Sequence, residues 1–495
     1  MSRSSLDGEL AEKGLAEVPL LENRVTTKLA KTIVAFTDFL RHSVWPGSRR
    51  PTRQTSLKST AYLDGLRGFA ALLVYILHHQ GWGHSNVEGS ESILGDAFGW
   101  NGQYYCVGFP GIRLLFTGGH AAVPIFFVTS GYVLSHKSLS FIHAGDLLQM
   151  AENLGSAMFR RWLRLYLPIL ATTFIWITLW HVFGLRHTDN LSDPPESNFR
   201  DEIWKWYCDF KNFSFIFENE PWNGYNSPLW TIPKEFRGSI VIWTALLAFG
   251  RFSRNARLCC EAGLAFYFLY IVDGWYCAAF AIGLLLCDLD LLAQRNNLPS
   301  LFYRLERWRG RIFLILFLAG VYLSGVPCSS SDIEHLKESP GWYYLSFLKP
   351  QAVFDFRNFY RVVGATFIMA AIPRLPSLKG FLELSFCQYL GRISYAFYLV
   401  HGPIHWAIGD RLYAAVGRVR GAHMDMAPAW INRFTLPNYG PFGLEVNFLI
   451  PHLALVPMTF WIAEICTRLF DEPSTKAAQY LYNVLLDNSS VLEKR

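Results

Sequence analysis

Apolar stretches of spanning or near-spanning length recur about ten times along this chain of 495 residues. A helix needs roughly 20 apolar residues to cross a bilayer, and shorter or interrupted segments are tolerated where they line a cavity. The composition agrees, because only 17% of the residues are charged, against roughly 25% in soluble domains. We therefore predict an all-α fold, a polytopic membrane bundle of about ten transmembrane helices, at residues 66–80, 114–135, 165–183, 229–249, 258–272, 275–287, 312–326, 359–373, 393–409 and 446–468.

Basic residues beside these stretches predict on which side of the membrane each loop lies. Four of them lie within residues 49–58, just before the first stretch, which favours a cytosolic N-terminus by the positive-inside rule. The loop 184–228 holds four basic residues against eight acidic ones, and two glycosylation sequons, at Asn190 and Asn212, as expected outside the cytosol. With about ten spans, both termini are expected to be cytosolic. The protein is then a multi-pass integral protein of an endomembrane or the plasma membrane.

This membrane topology divides the chain into three predicted regions. Residues 1–60 are predicted to be a cytosolic segment, in which residues 25–44 form an amphipathic helix on the membrane surface. Residues 61–475 form the transmembrane domain, and residues 476–495 form a cytosolic tail.

The composition also excludes several kinds of site. No run of Lys and Arg is interleaved with aromatic residues, so we expect no nucleic-acid partner. The nine cysteines form no Cys-x-x-Cys pair and no zinc pattern, so neither a metal site nor a permanently bound cofactor is predicted. Cys106, Cys208 and Cys328 fall in loops placed on the oxidising side of the membrane, where one disulfide among them can form.

Arg67 and His78 are ionisable residues within the first apolar stretch, eleven positions apart. On a helix this is about three full turns, so both side chains leave the same face, roughly 16 Å apart along the axis. Because ionisable groups at membrane depth are costly, they are taken as functional by default. Arg67 would clamp an anion, and His78 would accept a proton in the same channel.

The placement of Arg67 and His78 on one helix face has alternative interpretations. Arg67 could instead extend towards the interface and pair with Asp64 one turn earlier, while His78 is simply bonded within the bundle. The next residue, His79, points about 100° away on a helix and competes for the role of base.

Two further groups of charged residues could bind a phosphorylated ligand or orient the substrate that reacts with it. Arg160, Arg161 and Arg164 open the third stretch, where they either anchor the helix in the cytosol or grip phosphates with paired hydrogen bonds. Glu235 lies beside two cations, either in an ion pair at the interface or orienting the substrate or the histidine. Pro233 precedes it closely and makes a poor plain helix start.

A polar face recurs late in the chain. Ser394, Tyr398 and His401 have i, i+4, i+7 spacing, which fits hydrogen bonds between helices or one wall of a substrate channel. Ser130 lacks the elbow of a serine nucleophile, and close packing at Gly131 is favoured instead. His405 and Asp410 resemble an acyltransferase His-x4-Asp pair, which we interpret as coincidental because the surrounding motifs are absent.

In order along the chain, these motifs resemble the acyltransferase 3 family of multi-pass membrane O-acyltransferases. The resemblance covers about residues 60 to 475 and rests on the following pieces: Leu63-Asp64-Gly65-Leu66-Arg67-Gly68 with His78, Phe126-Phe127-Val128-Thr129-Ser130-Gly131-Tyr132, Arg160-Arg161-Trp162-Leu163-Arg164, Ser227-Pro228-Leu229-Trp230 with Glu235, and Ser394-Tyr395 with His401 and Pro403.

The resemblance implies transfer of an acyl group, usually acetyl, from cytosolic acyl-CoA as co-substrate to a hydroxyl-bearing acceptor. It implies that Arg67 and His78 are the essential pair, and that Arg161 and Arg164 bind the donor. Pro233 and Lys234 beside Glu235 depart from the family pattern and weaken the catalytic role carried over to Glu235.

On this interpretation CoA phosphates dock on Arg161 and Arg164, with Arg160, Ser394, Tyr398 and His401 as further binding residues and Arg67, His78 and Glu235 as the catalytic set. The rival interpretation is a transporter that uses the same Arg and His as a proton relay. A transporter of this kind often has paired broken helices related by internal symmetry, which the sequence lacks.

Overall fold

The computed structural model describes residues 57–187, 195–217 and 222–486. All regular secondary structure in these ranges is helical, so the predicted all-α fold is confirmed. The predicted amphipathic helix at 25–44 and the sequon at Asn190 lie outside the described residues. The longer helices are α1 (Ala61–Gly83), α2 (Gly119–Ala144), α3 (Leu147–Phe183), α4 (Phe199–Ser214), α5 (Thr231–Phe249), α6 (Arg254–Phe266), α7 (Trp275–Gln294), α8 (Arg309–Ser324), α9 (Phe356–Ala371), α10 (Ser385–Ile404), α11 (Val446–Cys466) and α12 (Glu472–Leu485).

Short helices and single helical turns join these elements. The α-helical ones are Ser90–Gly95, Leu114–Thr117, Ser300–Leu305, Ile333–Glu338, Tyr343–Ser346, Pro376–Leu382, Asp410–Ala415 and Gly421–Met426. The 3₁₀ turns are Trp100–Gly102, Cys106–Gly108, Ser227–Trp230, Glu306–Trp308, Ile372–Arg374 and Pro428–Trp430, and the π-helical turns are Tyr267–Ile271, His405–Gly409 and Thr467–Asp471.

Within the described ranges, three helical stretches are long and apolar enough to cross a membrane: Leu147–Phe183, Trp275–Gln294 and Val446–Leu485. A fourth is added if Phe356–Arg374 and Pro376–Leu382, bent by 97°, form one broken span. The other apolar stretches also lie on helices. The count of about ten spans and the cytosolic placement of both termini stay predictions.

Helices α1 and α10 are held in close contact by glycine. A Cβ on Gly68 would lie 2.3 Å from the backbone nitrogen of Gly391, and a Cβ on Gly391 would lie 2.3 Å from the carbonyl oxygen of Asp64. Small residues allow this approach of two backbones, which is a common device in membrane bundles. The contact fixes the helix that carries Arg67 and His78 against the helix that carries Ser394, Tyr398 and His401.

A second close contact joins α2 to α7. A Cβ on Gly131 would lie 2.2 Å from the carbonyl oxygen of Phe280, so the predicted packing role of Gly131 is confirmed. This contact holds Ser130 in place beside the start of α5. The poor helix start predicted at Pro233 is wrong, because Pro233 lies in the first turn of α5, where proline is tolerated. The irregular backbone lies just before it, in the 3₁₀ turn Ser227–Trp230.

Candidate active site

Helices α1, α2, α3, α5 and α10 line a cavity of about 150 Å³, which we call the arginine cavity. Each helix contributes polar side chains to a wall that is otherwise apolar. The polar lining consists of Arg67, Thr129, Ser130, Arg161, Arg164, Thr231, Glu235, Ser394, Tyr395 and Tyr398. Five stretches of sequence that are far apart in the chain therefore converge on one chamber.

Two of the three arginines on this wall have unpaired guanidinium groups. Arg161 is paired, since its Nη2 lies 2.5 Å from Oε1 of Glu235 and its Nε donates to Ser239 at 3.1 Å. Among the described residues, neither Arg67 nor Arg164 has a hydrogen-bond or ion-pair partner. In particular, the alternative pairing of Arg67 with Asp64 is not formed. Arg67 is half-buried and Arg164 is exposed, so both guanidinium groups have hydrogen-bonding capacity left for an anion.

Glu235 lies inside the arginine cavity. Besides its ion pair with Arg161, it accepts a hydrogen bond from Oγ of Ser130 at 2.6 Å. Glu235 therefore forms an ion pair with Arg161 inside the cavity and accepts one hydrogen bond from Ser130. Glu235 carries one negative charge among three arginines, which leaves the cavity with a net positive charge.

Arg160 lies on a neighbouring cavity of about 140 Å³, the adjacent cavity, whose wall also includes Arg161, Arg164, Thr475 and Ala478. Arg160 donates to Oε1 of Gln479 on α12 at 2.6 Å. Because Arg161 and Arg164 line both spaces, the two cavities share a basic wall. The predicted three-arginine cluster thus spans both, with Arg160 at one end.

Tyr398 lines the arginine cavity with its hydroxyl held by the start of α5 and the turn before it. Its hydroxyl donates to the carbonyl oxygen of Pro228 and lies 2.8 Å from the hydroxyl of Thr231. Ser394, one turn earlier, donates to the carbonyl oxygen of Gly391 at 2.9 Å. Both residues line the cavity as predicted for a channel wall, and both hydroxyls already have protein partners.

His78 lies further along α1. Contacts between α1 and α10 advance in the same direction along both helices, from Gly68 on Gly391 to His78 on His401. The rings of His78 and His401 have centroids 5.2 Å apart with edge-to-face geometry. The wall of the arginine cavity includes Arg67 but not His78, so this cavity does not form the expected single channel between them.

The His401 ring has one unused nitrogen. Its Nδ1–H donates to the carbonyl oxygen of Tyr398 at 2.8 Å, which leaves Nε2 as an acceptor. Nε2 is buried and has no partner in the part of the chain that the structure describes. His401 was predicted on the same wall as Ser394 and Tyr398, but it lies with His78 instead. Over the described ranges, the His78 imidazole also lacks any hydrogen-bond partner.

His79, the competing base, is already engaged. Its Nδ1 lies 2.7 Å from the hydroxyl of Tyr413, which lies 3.2 Å from Nε2 of His452. His452 in turn is 3.0 Å from the hydroxyl of Tyr75. The geometry therefore favours His78 over His79 as the histidine available to a substrate.

Sequence reasoning named His79 and His405 separately but missed His452 and the grouping of the three rings. The ring of His405 lies on that of His79, with centroids 4.0 Å apart, so His405 belongs to the same group. His405 and His452 both fall within predicted spans, where the cost of an ionisable side chain was the available signal.

The His-x4-Asp pair is coincidental, as interpreted. Asp410 bonds with Trp82, Arg420 and His423, and both ring nitrogens of His405 lack partners among the described residues. The disulfide considered among Cys106, Cys208 and Cys328 is not formed, because all three are free thiols.

Comparison with known proteins identifies the family. A family model of the acyltransferase 3 type, described as an acyltransferase domain, matches residues 60–465. The chain is 30% identical to O-acetyltransferase PaAT-1 of Phomopsis amygdali over 89% of this chain and 88% of that protein. It is 23% identical to acyltransferase R4 of a Phoma species and 22% identical to acyltransferase clz18 of Cochliobolus lunatus, over 86% of this chain and 96% of each relative. No solved structure gives a significant match. The chain belongs to the acyltransferase 3 family.

Proposed function

We propose that this protein is a membrane-embedded, acyl-CoA-dependent O-acyltransferase in which His78 is the general base. The donor carries acetyl, and the acceptor is a hydroxyl-bearing small molecule or carbohydrate. The observation that carries the proposal is the pair of guanidinium groups without protein partners, Arg67 and Arg164, on the wall of one cavity. Such groups are suited to phosphate oxygens, which arginine can bind with two parallel hydrogen bonds.

The donor is expected to place its phosphates along the basic wall. The adjacent cavity and the arginine cavity together present four arginines, of which Arg160 and Arg161 already have protein partners. Arg164 lies on both cavities, so we assign it the principal phosphate contact. The acyl-pantetheine arm then extends past Arg67 towards His78, a separation of roughly 16 Å along a helix.

Tyr398 must turn aside for the arm to reach His78. Its hydroxyl holds the carbonyl oxygen of Pro228 and the hydroxyl of Thr231, which ties α10 to the start of α5 and the turn before it. We expect donor binding to break these two contacts, so that the thioester passes between α5 and α10.

The transfer step then proceeds beside His78. The hydroxyl oxygen of the acceptor attacks the thioester carbonyl carbon as the imidazole takes the hydroxyl proton. A C–O bond forms, the C–S bond breaks, and the proton passes to the CoA thiolate as ester and free CoA leave. A positioned base of this kind typically contributes roughly 10²–10⁴-fold to the rate.

The test uses the full-length protein in lipid nanodiscs with radiolabelled acetyl-CoA. We expect CoA to raise the unfolding temperature, because a ligand that binds the folded state stabilises it, and we expect label to appear in an ester when alcohols are supplied. In proteoliposomes, a transporter would instead carry label across the bilayer with no free thiol released. That result, or no effect of CoA on unfolding, would contradict the proposal.

A further inference from the structure

A further arginine lies inside the bundle, on α9. Arg361 is only 9% exposed and falls within the predicted apolar stretch 359–373, where an ionisable side chain is costly. Its Nε is buried without a partner, and within the part of the chain that the structure describes its guanidinium group forms no hydrogen bond or ion pair. A buried charge is normally paired and hydrogen-bonded, so the unused bonding capacity of Arg361 points to a bound anion.

Two neighbouring arginines differ from Arg361, because both have protein partners. Arg113 donates to backbone carbonyl oxygens at 3.1–3.2 Å. Arg357 holds both carboxylate oxygens of Asp355 at 2.8–3.1 Å. The charge of Asp355 also acts on Arg361, but Arg357 already neutralises that carboxylate. Among the described residues of this group, Arg361 is therefore left without a counter-charge of its own.

His120, near the start of α2, lies close to both Arg361 and His78. Helix α2 packs against α1 and against α9, and His120 is near enough to Arg361 and His78 for each of them to act on it electrostatically. The first turn of α2 meets α1 at the level of His78, because a Cβ on Gly119 would lie 2.7 Å from the Cβ of Leu77. Like His78, His120 has no hydrogen-bond partner among the residues described. Three helices thus bring three ionisable groups with unused bonding capacity into one region.

An internal space borders the two imidazoles. His78 and His120 lie deep in the bundle, and yet both residues are only half-buried. A residue at this depth that keeps accessible surface borders a space between helices rather than lipid. Neither residue lines the arginine cavity, so their accessible surface faces a different space, on the side of His78 where Arg361 lies.

We infer that Arg361 binds a carboxylate group of the acceptor, so that the acceptor is a hydroxy acid whose hydroxyl is directed towards His78. The inference rests on the proposed function and adds the substrate class to it. A carboxylate is the favoured anion because the planar guanidinium fork matches its two oxygens with two parallel hydrogen bonds. The donor phosphates are expected at Arg164, so the two substrates use different arginines.

Binding of an acid is measured without turnover. The probes are benzoate and its neutral amide, benzamide, added to the protein in nanodiscs while the unfolding temperature is recorded at neutral pH. We expect benzoate to stabilise the wild type and to bind about ten- to a hundredfold more tightly than benzamide, as for a hydrogen bond to a charged group. Equal effects of the two compounds would overturn the inference.

Arg361→Met distinguishes a ligand site from a structural role. If the partner of Arg361 is a ligand, this variant removes a buried charge that lacks a counter-ion. It should then unfold at a higher temperature than the ligand-free wild type and lose the preference for benzoate. Arg361→Lys keeps the charge without the fork and should show a weaker preference, while Arg251→Met, at an exposed arginine, is the control and should keep the full preference. A destabilised Arg361→Met protein that still prefers benzoate would assign Arg361 a structural role.

Turnover provides the second arm, with para-(hydroxymethyl)benzoate and its methyl ester as acceptors of acetyl. Arg361→Met should raise KM for the acid and leave KM for the ester unchanged. If the variant and the wild type have equal KM for the acid, the inference fails and the proposed function stands. If the wild type prefers benzoate but neither binds CoA nor releases thiol, the proposed function fails, and the assignment of the anion to an acceptor fails with it.

Discussion

At the scale of single residues, the site is defined by which charges lack partners. Arg161 and Glu235 neutralise each other, so the anion-binding capacity of the arginine cavity rests on Arg67 and Arg164. The sequence indicated all four residues but not their pairing, because spacing along one helix does not reveal which side chain of another helix comes within bonding distance.

Replacing Arg164 with alanine should weaken CoA binding at least tenfold, since a hydrogen bond to a charged group contributes roughly 1.5–3 kcal/mol. Calorimetric titration of the nanodisc protein measures this. The matched control is Arg251→Ala, because Arg251 is an exposed arginine outside both cavities. Equal affinities of the Arg164→Ala protein and the wild type would remove Arg164 from the donor site.

Replacing Glu235 with glutamine should lower stability and yet improve CoA binding. Arg161 would lose its buried partner, which costs up to roughly 3–5 kcal/mol, and its guanidinium would become available to phosphate. Unfolding temperatures with and without CoA give both quantities. Ser130→Ala, which removes one hydrogen bond to Glu235, should cost less and leave CoA affinity unchanged. A Glu235→Gln protein of wild-type stability would show that the ion pair contributes nothing.

At the scale of elements, helices were predictable and their ends were not. Each predicted apolar stretch lies on helix, but α3 begins at Leu147, well before the predicted start at 165. Its first turns mix polar and apolar residues, and Asp146 caps them by accepting from the backbone nitrogen of Gln149 at 3.0 Å. A search for apolar runs cannot detect such an extension. The predicted boundary of the tail at 476 likewise falls inside α12.

Gly68→Ala should disrupt the contact between α1 and α10. Its Cβ would lie 2.3 Å from the backbone of Gly391, and such overpacking typically costs roughly 1–3 kcal/mol or more. Gly81→Ala is the control on the same helix, because a Cβ there meets nothing within 4 Å and alanine favours the helix by about 1 kcal/mol. Thermal unfolding should show a large loss for the first variant and none for the second.

Protonation of Glu202 on α4 should lower the free energy of unfolding at acidic pH. It is fully buried and bonds with Tyr225 at 2.5 Å, the backbone nitrogen of Glu196 at 2.8 Å and His181 at 3.2 Å. Burial alone would raise the pKa of Glu202, but these bonds hold the pKa below its usual value. The unfolded carboxyl titrates near 4.3, so the contribution of Glu202 to stability is complete above that pH and is lost as pH falls through the lower folded-state pKa.

Unfolding temperatures measured from pH 7 down to pH 3 check this dependence. The wild type should lose stability below about pH 4.3 more steeply than Glu202→Gln, which is neutral throughout and should be less stable at pH 7. Parallel curves for the two proteins would assign the acid sensitivity to other groups.

At the scale of the whole molecule, the adjacent and arginine cavities share a basic wall, because Arg161 and Arg164 line both of them. The order of motifs in the sequence predicted the family and the cationic wall. It could not predict the hydrogen bonds of Tyr398 with Pro228 and Thr231, because they depend on how α5 and α10 meet.

The decisive experiment compares acetyl transfer by His78→Ala and His79→Ala in nanodiscs, with CoA binding measured on the same preparations. If His78 is the base, His78→Ala should bind CoA as the wild type does and transfer acetyl roughly 10²–10⁴-fold more slowly, while His79→Ala keeps the greater part of the rate. Transfer by His78→Ala at the wild-type rate would contradict the assignment of His78 as the base.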